Sequence, residues 1–113
     1  NGVENARFLG GAVETTLGKL RRELGTVRPG AAAAVLDPPR AGCEKSVLKS
    51  LLDPALGRIV YVSCNPATFA RDADWLSRHG WRLARVRPVD LFPQTHHVET
   101  VGLFLRRGPG KGP

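Results

Sequence analysis

The sequence predicts an α/β domain built on a mostly parallel sheet with an antiparallel terminal strand, and three observations carry that expectation. Short apolar runs, Ala31 to Leu36 and Ile59 to Val62, alternate with segments of helical periodicity, the order expected of strand-helix-strand units. Each run stops at residues that cannot continue a central strand or that open a helix: Asp37 before Pro38-Pro39, and Ser63-Cys64 before Asn65-Pro66. The last two strands, Trp81 to about Val89 and about Thr100 to Leu105, are joined only by Asp90 to Glu99. That connection is too short for a helical crossover, so these two should pair antiparallel.

In chain order, Ala6 to Leu9 reads as a weak strand. Leu17, Leu20 and Leu24 then lie on one helical face that stops at Gly25. After the strand ending at Asp37, Val47, Leu48, Leu51 and Leu52 make the apolar stripe of a covering helix from Glu44 to about Leu52. Ile59 to Val62 lacks polar alternation, as in a strand buried on both faces. Asn65 before Pro66 is a cap followed by a first-turn proline, and the helix it opens buries Phe69, Ala73 and Leu76 before Gly80 ends it.

At 113 residues and 12.2 kDa the chain makes a single domain. Residues 1–105 form it, and the Gly-, Pro- and Arg-rich residues 106–113 read as a disordered basic tail. The net charge is +7, of which the last eight residues carry +3, a balance that favours a polyanionic partner. Two cysteines exclude a disulfide framework of the small secreted kind. No stretch approaches the length of a membrane span, and a cytoplasmic protein is expected.

In an open α/β sheet, ligands bind outside the carboxyl ends of the parallel strands, here Asp37 and Cys64. An antiparallel terminal strand begins at the same edge, preceded by His96-His97-Val98-Glu99. The helix start after Asn65-Pro66 favours an anion, which suits a reactive Cys64, although a buried cysteine is often only a small apolar residue. Cys43, in the turn after the proline pair, has no such setting and reads as structural or incidental. Asp37 either receives a ligand or caps the turn into Pro38-Pro39, and Glu99 is either a general base or a solvated rim residue. No pair of His or Cys residues has metal-binding spacing, and no Gly-rich phosphate loop is evident. The arginines spread over helices and strands read as a solvated face or as phosphate contacts.

Three segments resemble a known family. Asp37-Pro38-Pro39-Arg40-Ala41-Gly42, then Tyr61-Val62-Ser63-Cys64-Asn65-Pro66-Ala67-Thr68-Phe69-Ala70-Arg71-Asp72, then Asp90-Leu91-Phe92-Pro93-Gln94-Thr95-His96-His97-Val98-Glu99 closely resemble successive motifs of the RNA uracil-C5 methyltransferases. These S-adenosyl-L-methionine-dependent enzymes make 5-methyluridine in ribosomal and transfer RNA. Order and spacing match from about Ala33 to Leu105.

The resemblance implies the carboxyl-terminal part of a Rossmann-like methyltransferase fold, with S-adenosyl-L-methionine as cofactor and RNA as partner; no metal and no membrane are expected from the ligand spacing and apolar runs above. It implies a flipped base attacked at C6 by Cys64, with Glu99 collecting the C5 proton. Asp37 is expected between the methionyl end of the cofactor and the target base, with Arg40 and Asn65 as further substrate contacts. In a full-length relative, an RNA-binding portion and the Gly-rich first strand-turn-helix of the cofactor site come earlier. The chain alone is therefore expected to be inactive, and Ala6 to Leu9 to be displaced from the sheet. Two other readings are a non-catalytic RNA-binding module on the same fold, and a cysteine hydrolase pairing Cys64 with His96 or His97.

Overall fold

A computed structural model describes residues 2, 4–6, 8–90 and 98–108. Its elements are α1 (Val13–Leu24), β1 (Ala32–Leu36), α2 (Lys45–Ser50), β2 (Leu56–Ser63), α3 (Pro66–Ser77), β3 (Trp81–Val89) and β4 (Glu99–Arg106). Local signals explain most boundaries. Helix α1 ends where Gly25 donates its N–H to the Arg21 carbonyl, and β1 ends one residue before Asp37. Helix α3 starts at Pro66, behind an Asn65 whose side chain accepts the Ala67 N–H. Helix α2 is shorter than its apolar stripe, closing at Leu51.

The four strands lie in the order β1-β2-β4-β3. β1 and β2 pair parallel, while β4 pairs antiparallel with both β2 and β3. Three strands thus share a direction and only β4 opposes them, as expected. Because β4 inserts between β2 and β3, however, the ladders are mixed rather than mostly parallel. β1 and β3 form the two edges.

Helices α2 and α3 cover the same face of this sheet. Leu48 and Leu51 of α2 and Phe69 and Leu76 of α3 join Leu56, Ile59, Tyr61, Trp81 and Phe104 in one core. β4 carries Gly102 there because Phe69 leaves no room for a side chain: a Cβ would stand 2.7 Å from its ring. On the opposite face no residue is fully buried, and Val35 is 74% exposed. Ile59 and Tyr61 are therefore buried while Val60 and Val62 are only partly so. This corrects the expectation of a strand buried on both faces. A run of apolar side chains shows that burial is tolerated, not that both faces receive it.

The two ends of the chain bear on the expectations differently. Ala6, Phe8 and Leu9 belong to no strand, in keeping with displacement from the sheet, and Phe8 is 95% exposed. Arg106 and Arg107, assigned to the tail by composition, belong to the fold. The Arg106 guanidinium lies 4.2 Å from the centroid of the Trp81 ring and donates to the Leu56 and Asp53 carbonyls. Arg107 donates its N–H to the Gly80 carbonyl and its side-chain Nε to that of Trp81. Residues 109–113 of the expected tail lie outside the described residues. No described helix is long and apolar enough to cross a membrane.

Candidate active site

The register of the sheet brings Cys64 and Glu99 to one place. Ser63 of β2 faces Thr100 of β4 across the last pair of their antiparallel ladder. The next residue outward on β2 is Cys64, and the next on β4 is Glu99. Cys64 lies just past the end of β2, while Glu99 opens β4 and still pairs with Val89 of β3; both stand at the edge where β1 ends and Asp37 follows. Alternation puts Glu99 on the face shared with Val101 and Leu103, opposite the helices. Continued one residue past each strand, it assigns Asp37 and Cys64 to that same side. Cys64 and Glu99 are partly exposed and Asp37 is exposed.

Cys64 occupies a tightly tied turn. The Ser63 hydroxyl donates to the Asn65 carbonyl (2.9 Å) and accepts the Asn65 N–H (3.0 Å), so the residues on either side of the cysteine are bound to each other. Asn65 then caps α3, its Oδ1 accepting the Ala67 N–H at 3.0 Å. Its Nδ2 donates to the Arg40 carbonyl at 3.1 Å. Asn65 therefore links the cysteine turn to the loop after β1. Arg40 is held by its main chain while its side chain faces solvent.

Asp37 borders a pocket of about 260 Å³ lined mainly by apolar atoms, among them those of Val13, Val35, Leu36, Pro38 and Pro39. Cys43 lines its inner wall. Burial and the neighbouring Asp72 carboxylate push the Cys43 thiol up to about 11, which fits the structural role expected of it. Among the described residues no cluster of three or more His, Cys, Asp or Glu residues can hold a metal ion. His96 and His97, the partners required by a cysteine hydrolase, lie outside the described residues.

One group of polar residues beside the site was missed in the sequence. Asp72 is wholly buried and accepts from the Tyr61 hydroxyl (2.6 Å) and the Cys43 N–H (2.9 Å). It also pairs with Arg71, whose Nη2 is 3.0 Å from its Oδ1. The signal was present: Asp72 lies three residues after Phe69 and four before Leu76, so a carboxylate stands on the apolar stripe of α3.

A model of the family described as tRNA (uracil-5-)-methyltransferase matches residues 30–108. An uncharacterized RNA methyltransferase of Gloeobacter violaceus is 50% identical over 106 residues, covering 94% of this chain and 21% of the relative. One from Caldanaerobacter subterraneus is 46% identical, covering 94% and 23%. The chain thus spans about a fifth of the length of these curated relatives. Among solved structures, the Pyrococcus abyssi tRNA (uracil-54, C5)-methyltransferase in complex with S-adenosyl-L-homocysteine superposes with a TM-score of 0.57 at 42% identity. That match covers 65% of this chain and 18% of the other. A SAM complex of M1.HpyAVI, at 13% identity, has a TM-score of 0.56 over 92% of this chain and 60% of that one. At that identity the likeness is one of fold alone.

Proposed function

The chain belongs to the tRNA (uracil-5-)-methyltransferase family, and on that premise we propose that it carries the nucleophile and the base for methylating uracil C5 in ribosomal or transfer RNA, with S-adenosyl-L-methionine as cofactor. The observation that supports this reading is that Cys64, just past β2, and Glu99, the first residue of β4, lie at one edge of the sheet, one register step beyond Ser63 and Thr100.

Uracil C5 is a weak nucleophile because the carbonyls withdraw its π-electrons. Addition of the Cys64 thiolate to C6 forms a carbon–sulfur bond and pushes the electron pair to C5 and O4, giving an enolate. Bound S-adenosyl-L-methionine supplies the methyl group that C5 accepts. Glu99 then takes the proton from C5, the double bond re-forms, and the sulfur leaves C6. Asp37, at the mouth of the apolar pocket, fits the methionyl end of the cofactor, where its carboxylate faces a cationic group. A pocket of about 260 Å³ is below the ~300–1,000 Å³ usual for whole small-molecule sites, so this chain holds part of the cofactor. The isolated chain is accordingly expected to be inactive, which a methyl-transfer assay on this chain alone checks. Arg40, with its side chain free and its main chain fixed, meets the RNA, and Asn65 holds the cysteine turn against the same loop.

The test uses the complete protein that carries this chain and RNA containing 5-fluorouridine, whose fluorine cannot be removed as a proton. A covalent protein–RNA adduct is expected, dependent on S-adenosyl-L-methionine and absent in Cys64→Ala. An adduct that survives Cys64→Ala refutes the assignment. RNA affinity without any methyl transfer would instead identify a non-catalytic RNA-binding module.

A further inference from the structure

We infer that Thr68, Arg71 and Asp72 are positioning residues that clamp the Asp37–Cys43 loop to the helix behind Cys64, so that cofactor side and nucleophile side move as one body. The inference rests on the proposed function and extends it to residues that never touch substrate. Four side chains of α3 and its cap hold the loop in sequence. Asn65 Nδ2 and the Thr68 hydroxyl both donate to the Arg40 carbonyl, at 3.1 and 2.9 Å. Arg71 Nη2 donates to the Ala41 carbonyl at 2.8 Å, and Asp72 accepts the Cys43 N–H at 2.9 Å.

Positions 65, 68, 71 and 72 follow helical spacing and present one face to the loop. Between the bonded residues, Gly42 closes the remaining gap. At φ +83° it adopts a conformation that favours glycine, and a Cβ there would collide with Arg71 Nη2 and stand 2.8 Å from Asp72 Oδ2. Asp72 is fixed in turn by Tyr61, which emerges from β2 three residues before Cys64. The network therefore runs from the nucleophile's own strand, through a buried carboxylate, to the loop that carries Asp37 and Arg40.

These bonds fix where Asp37 and Arg40 stand relative to Cys64, and on the proposed reaction that spacing must hold while the cysteine reaches C6 and the loop meets cofactor and RNA. Misplacement by about 1 Å is enough to cost up to ~100-fold in rate.

The test measures adduct formation with 5-fluorouridine RNA by the complete protein at saturating cofactor. Arg71→Ala is expected to lower the thermal midpoint, since it takes the ion-pair partner from the wholly buried Asp72 carboxylate, and is therefore assayed well below that midpoint, where it stays folded. It should lose about tenfold in the rate constant while the KM for cofactor and RNA changes less than about twofold. Millimolar guanidinium should restore part of the rate by refilling the position of the lost group, which a general loss of stability would not permit. Thr68→Val keeps the shape of the side chain, removes the hydroxyl shared between the Arg40 and Asn65 carbonyls and is expected to lose about fivefold. It carries the test should Arg71→Ala fail to fold.

Unchanged rate constants in folded variants would overturn the clamp, as would losses confined to KM. An unaltered protein that forms no adduct would overturn the proposed function first, and this inference with it.

Discussion

Cys43 and Cys64 occupy equivalent places, each following a strand of the parallel pair and preceding a helix, yet their surroundings differ in kind. Cys43 is folded inward. Its N–H is given to Asp72, it packs beside the core, and burial holds its thiol protonated to about pH 11. Cys64 stands at a bend whose flanking residues are tied to each other through the Ser63 hydroxyl, ahead of a capped helix of 12 residues. The difference teaches that two cysteines of one sheet are told apart by what their neighbours hold in place: the main chain of Cys43 is drawn inward by Asp72, while the turn around Cys64 is closed without using its sulfur. Burial and the neighbouring Asp72 carboxylate keep the Cys43 sulfur neutral, whereas Cys64 stands partly exposed at the edge of the sheet.

The most severe way to break this comparison is to delete each thiol in turn. Cys64→Ala should remove methyl transfer and adduct formation by more than about a thousandfold, because no other group attacks C6. Cys43→Ala keeps the N–H that Asp72 accepts and should retain activity within about threefold. Equal losses, measured as initial rates on RNA by the complete protein, would end the distinction.

Next in size is the carboxylate that separates the two settings. Asp72→Ala leaves the Tyr61 hydroxyl and the Cys43 N–H without an acceptor in a buried place, and should cost about 2–4 kcal/mol of stability. Gly42→Ala forces a side chain into Arg71 and Asp72 at positive φ and should cost about 1–3 kcal/mol. Denaturant midpoints measure both. A midpoint unchanged by either substitution would mean that the loop is not held as described.

The parts of this arrangement that the sequence announced are those with local causes. Gly25, Asn65-Pro66 and Asp37-Pro38-Pro39 stop and start elements through their own backbone preferences, and the structure keeps those boundaries. The insertion of β4 between β2 and β3 has no local cause. Residues 99–106 reach both neighbours only through tertiary pairing, and the short connection from β3 specified one partner rather than two. Asp72 was legible in principle, as an acid within an apolar stripe, but the stripe is recognised from Phe69, Ala73 and Leu76 without it. Arg106 and Arg107 were hidden by the Gly- and Pro-rich residues after them. Their contacts with Trp81, Leu56 and Asp53 are made across the fold, and Gly-Pro content predicts nothing about them.

The smallest effect expected is also the one that isolates the Cys43 side. Cys43 ordinarily ionises near 9.0 and in the fold near 11. Tyr61 is likewise pushed up, first by burial and then by its hydrogen bond to Asp72. Both folded groups hold their protons more tightly than the unfolded chain does, so the Cys43 contribution to stability is complete below pH 9 and declines as pH rises from 9 towards 11, and the Tyr61 contribution is complete below pH 10 and declines above it. For Cys43, the fall discounted for partial exposure amounts to about 1 kcal/mol. Tyr61 adds to it only above its ordinary value near 10. Denaturant midpoints taken between pH 8 and 11 should therefore fall in two overlapping stages, with Cys43→Ala removing the earlier one and leaving the later. A fall of the same size and onset in Cys43→Ala would assign the alkaline weakness to other groups and remove the thiol from the network around Asp72.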